Sequence, residues 1–128
     1  MNRWNIPLAL ELEVAARDLH CVYCGVSFLE SDAPYRQRPS WEHITNDVNI
    51  VTRSNIARCC ISCNASKGAK LLKHWLGSRY CERRGISAST VAQVVRDALI
   101  DDEPNADQTA ANIEILPSIS RSSDDDSN

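Results

Sequence analysis

Apolar positions recur at helical spacing near the start of the chain. In residues 7–19, PLALELEVAARDL, the side chains of Leu8, Leu12, Ala15 and Leu19 fall on one stripe. This predicts a helix over about 7–19, with Pro7 in its first turn. The helix runs into HCVYCG, residues 20–25, where Gly25 supplies the backbone freedom of a tight knuckle. Residues 29–40 are polar, contain Pro34 and Pro39, and read as a loop. Ser40 to Ile44 reads as a short strand, Asn46-Asp47 as a turn, and Val48 to Thr52 as the return strand. Ser54 is placed to cap a helix starting near Asn55. Helical spacing resumes over 66–84, with Leu71, Leu72, Trp75 and Leu76 on the apolar side, Gly77 as a tolerated or kinking residue and Gly85 as the stop. A last helix over about 88–100, capped by Ser87 or Ser89, turns Val91, Val94, Val95, Ala98 and Leu99 inward. Beyond Asp101 the periodicity dissolves, apart from a possible short strand at residues 113–116, IEIL.

The 128 residues make room for one domain and a tail. Aromatic residues are only 5% of the chain, so the core is aliphatic and thin, the situation in which a bound metal helps most. The formal net charge of -3 conceals a division. Residues 101–128 carry eight acids and one base, and residues 1–100 carry nine acids and thirteen bases. This sets a basic domain over 1–100 beside an acidic, disordered tail over 101–128. No apolar run has the length of a membrane span, and Glu11 and Glu13 interrupt the only apolar patch near the N-terminus. A cytoplasmic location is the default expectation. In a reducing compartment, six cysteines are metal ligands or reduced thiols before they are disulfides.

Four of those cysteines form two C-x2-C pairs, Cys21 with Cys24 and Cys60 with Cys63. Two intervening residues let one tight turn present both sulfurs to one ion, and two such turns complete a tetrahedral zinc site. A site closed by four sulfurs has no open position, so its role is structural. Cys59 and Cys81 are expected to be non-ligands packed as small apolar residues.

Between and after the pairs lie Trp41-Glu42-His43-Ile44, then Asn55-Ile56-Ala57-Arg58, then Cys63-Asn64-Ala65-Ser66-Lys67-Gly68. In this order, within residues 21–68, the chain resembles the HNH endonucleases of the His-Me finger (ββα-metal) class in their zinc-bearing form. The resemblance implies an α+β fold, a small zinc-stapled ββα-metal domain with flanking helices. It also implies roles. His43 matches the general base, Glu42 an acidic ligand of a catalytic Mg²⁺ or Mn²⁺, and Asn64 the second ligand of that ion, in an H-N-N variant. Asn55 matches the middle motif residue, which ties down the hairpin loop. The family more often has Asp before the His, and Glu42 is one methylene longer. The stretch from His43 to Asn55 is short, which demands a tight loop.

Phosphodiester hydrolysis asks for such groups on its own account. A neutral imidazole can take a proton from water at neutral pH. Mg²⁺ favours one or two protein oxygens, with water and phosphate completing its shell. Adjacent strand residues point to opposite faces, so Glu42 and His43 can serve one site only where the strand is irregular. Residues 53–84 hold eight bases against Glu82 alone. Arg53, Arg58, Lys67, Lys70 and Lys73 are the expected contacts to a DNA backbone, the three lysines sharing one helix side. The expected activity is metal-dependent cleavage of DNA, one strand per active site. The alternatives are a non-catalytic zinc-stabilised nucleic-acid-binding module, or a nuclease subunit of a larger complex targeted by a protein partner.

Overall fold

In the computed structural model, which describes residues 4–101, the elements are α1 (Leu8–Arg17), a 3-10 turn (Tyr35–Gln37), β1 (Pro39–His43), β2 (Ile56–Cys60), α2 (Ile61–Lys67), α3 (Leu72–Leu76), α4 (Arg79–Arg84) and α5 (Gln93–Asp101). The fold is α+β, with β1 and β2 paired antiparallel and helices packed around them. Pro39 lies opposite Cys60 and His43 opposite Ile56, so the register sets the second cysteine pair at one end of the sheet and the Glu42-His43 pair near the other.

Four of the five residues of β2 are buried, which explains a difference from the expected hairpin. Val48 to Thr52 is not the return strand. Val48 and Ile50 are exposed, and the loop is held instead by local polar contacts such as Asp47 Oδ1 accepting from the Asn49 backbone at 2.9 Å. Of its apolar residues only Val51 packs on the core, and partly, so a strand there would bury little, whereas Ile56, Ala57, Cys59 and Cys60 have the core to enter. No helix starts near Asn55, which directly precedes β2. The helix begins at Ile61, after the sheet, with the Cys60 sulfur accepting from the Cys63 N–H at 3.4 Å in place of a cap.

The single helix expected over 66–84 is also divided. Gly68 closes α2 at φ 48°, a left-handed position that favours glycine. Gly77 closes α3, and Ser78 starts α4 by accepting from the Cys81 N–H. Gly85 ends α4 in the left-handed conformation, as its position suggested. Leu72 and Trp75 are buried, while Leu71 is exposed. In α1 the expected stripe is likewise misplaced. Leu8 and Leu12 are 66% and 63% exposed, and Val14 is the buried residue. It faces Ile6 and Ile56, beside Trp4 and Trp41. The last helix starts at Gln93, after a turn in which the Ser87 N–H donates to Thr90 Oγ1. Val91 and Val95 are buried as expected.

The larger core gathers Val22, Tyr23, Ile44, Ala57, Cys59, Trp75, Cys81 and Val95 around the knuckles. Three hydrogen bonds tie the parts together. The Val22 N–H donates to the Arg58 carbonyl, the Ala92 N–H to the Val22 carbonyl, and the Arg58 N–H to Asp18 Oδ2. Thus the first knuckle, β2, the start of α5 and the end of α1 meet on a few backbone groups. Asp101 closes α5; the rest of the acidic tail and the short strand expected over 113–116 lie outside the described residues. No described helix is long and apolar enough to cross a membrane.

Candidate functional site

The two cysteine pairs arrive from different directions and converge. Cys21 and Cys24 sit on a turn closed by the Gly25 N–H donating to the Cys21 carbonyl at 3.0 Å, with Gly25 at φ 81°. Cys60 ends β2 and Cys63 lies one turn into α2. Their four sulfurs lie within 4.8 Å of one another, with Cys24 Sγ and Cys60 Sγ 3.8 Å apart. A tetrahedral ion at a Zn–S distance of about 2.3 Å needs sulfurs about 3.8 Å apart. Backbone N–H groups of Tyr23 and Cys24 point at Cys21 Sγ, each at 3.4 Å, the environment of a thiolate.

The four thiols lie close enough to compete for their protons. Hydrogen bonds from Cys24, Cys60 and Cys63 pull the Cys21 thiol far below its ordinary range. Its hydrogen bonds with Cys60 and Cys63 push those two thiols up. Four thiolates cannot share this volume alone, and a divalent ion such as zinc removes the conflict. The donor set therefore fits a closed metal site. Cys59 and Cys81 are fully buried in the core, and burial pushes both thiols up, as for small apolar residues.

Toward the other end of the sheet is a cleft of about 240 Å³ lined by Trp4, Trp41, Glu42, His43, Asn64 and Gly68, among others. The end of β1 thus brings the adjacent Glu42 and His43 into one cleft, despite the alternation of strand side chains. His43 Nε2 is buried and has no hydrogen-bond partner among the described residues. Trp4 meets its ring edge-on, with centroids 5.2 Å apart. Burial moves the imidazole below its ordinary pKa, opposed by Asp47 and reinforced by Lys67.

Asn64 enters from α2. Its Nδ2 donates to Ser40 Oγ at 2.9 Å and to the Trp41 carbonyl at 3.0 Å. Both amide protons are committed, which fixes the orientation of Oδ1 and docks α2 on β1.

Asn55 does not line this cleft. Its Oδ1 accepts from the Thr45 N–H at 2.7 Å, and its Nδ2 donates to the carbonyls of Thr45 at 3.2 Å and Ile50 at 3.0 Å. Its own carbonyl accepts from the Ile44 N–H at 2.9 Å. One residue closes the loop between the strands and so holds the end of β1 that carries His43.

Glu42 is engaged by two buried partners. The Tyr23 hydroxyl donates to Oε2 at 2.7 Å, and Lys67 Nζ lies 2.9 Å from the same oxygen. Burial raises the carboxyl above its ordinary range, and the nearby Lys67 ammonium only partly offsets this. Lys67 is 1% exposed, so it is not a backbone-tracking residue as the sequence suggested. Its position explains why: Cys63 and Lys67 are one helical turn apart, and the face that carries an inward ligand carries the lysine inward too. Tyr23 went unnoticed in the sequence, although its place inside a knuckle was a signal that its ring must be buried.

The remaining basic residues are distributed differently from expectation. Lys67, Lys70 and Lys73 do not share a helix side, since α2 ends at Lys67 and α3 starts at Leu72. Lys70 is exposed, with Nζ donating to the Ser66 carbonyl, and Lys73 is exposed. Arg53 forms an ion pair with Glu13 at 2.7 Å. Arg58 lies over the rings of Phe28 and Trp41, at 5.4 and 5.8 Å from their centroids. Comparison with known proteins adds nothing to this geometry: no family model, curated protein or solved structure matches the chain significantly.

Proposed function

We propose that the chain is a zinc-stapled HNH endonuclease of the His-Me finger (ββα-metal) class that hydrolyses DNA phosphodiester bonds, with His43 as general base. The observation that carries this reading is the buried, unpartnered His43 Nε2 in a cleft shared with Glu42 and the oriented amide of Asn64. A buried polar atom left unsatisfied is costly, and such costs concentrate at sites where the missing partner is a reactant. Nε2 has no competing partner among the described residues, so it would accept the proton of an attacking water once one is admitted to it. Loss of positive charge from the imidazole by burial keeps it in the accepting form.

Glu42 and Asn64 supply the two oxygens that would hold Mg²⁺ or Mn²⁺ in the cleft, a number suited to such an ion. When bound, that ion would neutralise phosphate charge and stabilise the leaving oxygen. Asn55 supports the base indirectly, by closing the loop at the end of β1. Lys70 and Lys73 are the candidate contacts to the DNA backbone, together with the exposed Arg79 and Arg83. By the resemblance, the products carry a 5′-phosphate and a 3′-hydroxyl, and each active site nicks one strand. A protein partner would then supply targeting.

One observation favours a second reading. Lys67 already neutralises Glu42, which suits a non-catalytic zinc-stabilised module that only binds nucleic acid. Incubating supercoiled plasmid with the purified protein separates the two. Conversion to nicked circles in Mg²⁺ or Mn²⁺, abolished by EDTA, supports the nuclease. Plasmid that is retarded but never nicked, under any divalent ion, supports the binding module.

A further inference from the structure

Two side chains, Tyr23 and Lys67, join the cysteine cluster to the cleft. Tyr23 lies between Cys21 and Cys24 on the first knuckle, and its ring packs edge-on against Trp75 at 4.8 Å between centroids. Its hydroxyl reaches across the core to Glu42 Oε2. Lys67, one helical turn after Cys63 of the second knuckle, reaches the same oxygen. Each knuckle therefore sends one buried polar group to one carboxylate oxygen. Oε2 is doubly committed, Glu42 lines the cleft, and Oε1 is the oxygen that remains.

We infer that Tyr23 is a positioning residue, whose hydroxyl, carried by the metal knuckle, fixes the Glu42 carboxylate so that Oε1 faces the cleft as a ligand for a divalent cation. This rests on the nuclease reading and extends it. A free glutamate side chain samples several rotamers and presents either oxygen. With Oε2 anchored by a rigid aromatic donor and an ammonium, the carboxylate has one orientation to offer, and the cost of ordering it is met when the chain folds rather than when the cation binds. Such outer hydrogen-bond partners typically account for about 10–100-fold in metal affinity. The knuckle is then more than a staple, because the geometry of its turn sets the geometry of the cleft.

Tyr23→Phe tests this in the full-length, zinc-loaded protein, since the ring and its packing on Trp75 are retained. Zinc content and thermal melting verify that the fold is intact. Mn²⁺ binding is then read by electron paramagnetic resonance of the free ion, without DNA. The expected result is affinity weakened by about 10–100-fold. In a Glu42→Gln background, Tyr23→Phe should cause no further loss, because its effect passes through the carboxylate. Unchanged Mn²⁺ affinity in Tyr23→Phe overturns the inference, as does an equal loss in the Glu42→Gln background. Plasmid nicking by the wild type separates the two levels. A protein that nicks DNA while Tyr23→Phe binds Mn²⁺ normally keeps its nuclease reading and loses only this one. A protein that neither nicks nor binds Mn²⁺ loses both.

Discussion

At the scale of single residues, the environment of His43 sets an expectation about pH. Burial holds the imidazole below the value of about 6.5 for a free histidine. The neutral, proton-accepting form therefore persists to lower pH than in solution. Cleavage should stay level through neutrality and fall only on the acid side of about 6.5, as protonation removes the acceptor. A pH–rate profile whose acid limb lies well above that value would contradict the assignment. His43→Ala should keep its zinc and its DNA binding and lose about 10²–10⁴-fold in cleavage rate. Glu42→Ala and Asn64→Ala should respond differently, recovering part of their activity as Mg²⁺ or Mn²⁺ is raised, because what they lack is affinity for the ion. Lys67→Ala should lower stability as well as loosen the Glu42 carboxylate. It leaves Glu42 buried without its counter-charge, a change that costs about 3–5 kcal/mol and is measurable by denaturant unfolding.

At the scale of elements, the loop between β1 and β2 depends on one amide. Asn55 satisfies two backbone carbonyls and one N–H of a loop with few apolar contacts. Asn55→Ala should leave these groups without their partner, lower stability by about 1–3 kcal/mol and speed amide exchange at Thr45 and Ile44. Exchange unchanged at both positions would show that the loop is held by other means. The two C-x2-C turns, β1 and the shared cleft of Glu42, His43 and Asn64 have local signals in the sequence: C-x2-C spacing, an acid-His pair, an Asn directly after Cys63. The return strand was not legible there. Val48 to Thr52 has strand-like residues, but what selects Ile56 to Cys60 is the burial of four of its five residues in the core, a long-range condition no short window contains. The helix over 66–84 failed for a related reason. Its spacing is sound, yet Gly68 and Gly77 allow breaks that let Leu72 and Trp75 enter the core from separate short helices. In α1 the stripe of Leu8 and Leu12 was regular but irrelevant, since Val14, with Leu10 partly buried, is what packs on Ile6 and Ile56.

At the scale of the whole molecule, charge is unevenly shared. Residues 102–128 carry seven acids and one base, so their removal changes the formal net charge from -3 to +3. The shortened protein should bind duplex DNA more tightly. The gain should be larger at about 50 mM than at about 200 mM salt, as expected of a phosphate-backbone interaction. Fluorescence anisotropy with labelled duplex reads this directly, and equal affinity at low salt would rule out competition by the acidic segment. The core is not the aliphatic one expected from composition, since Trp75 and Tyr23 are its largest buried side chains; binding the metal should still govern folding as a whole, because Cys21, Cys60 and Cys63 are themselves buried core residues. Serine at Cys21, Cys24, Cys60 or Cys63 should cost solubility or folding, while serine at Cys59 or Cys81 should be milder; metal content per folded chain distinguishes them. The contact between Tyr23 and Trp75 gives this a visible signature. Trp75 is fully buried against the ring that the first knuckle holds in place. If the cluster holds an ion, withdrawing it with a chelator should release that ring and admit water to the indole, so the emission should shift to longer wavelength as the knuckle opens. Such a shift, absent when Trp75 is replaced by Phe, would make this indole an optical gauge of metal occupancy, readable in an unlabelled sample.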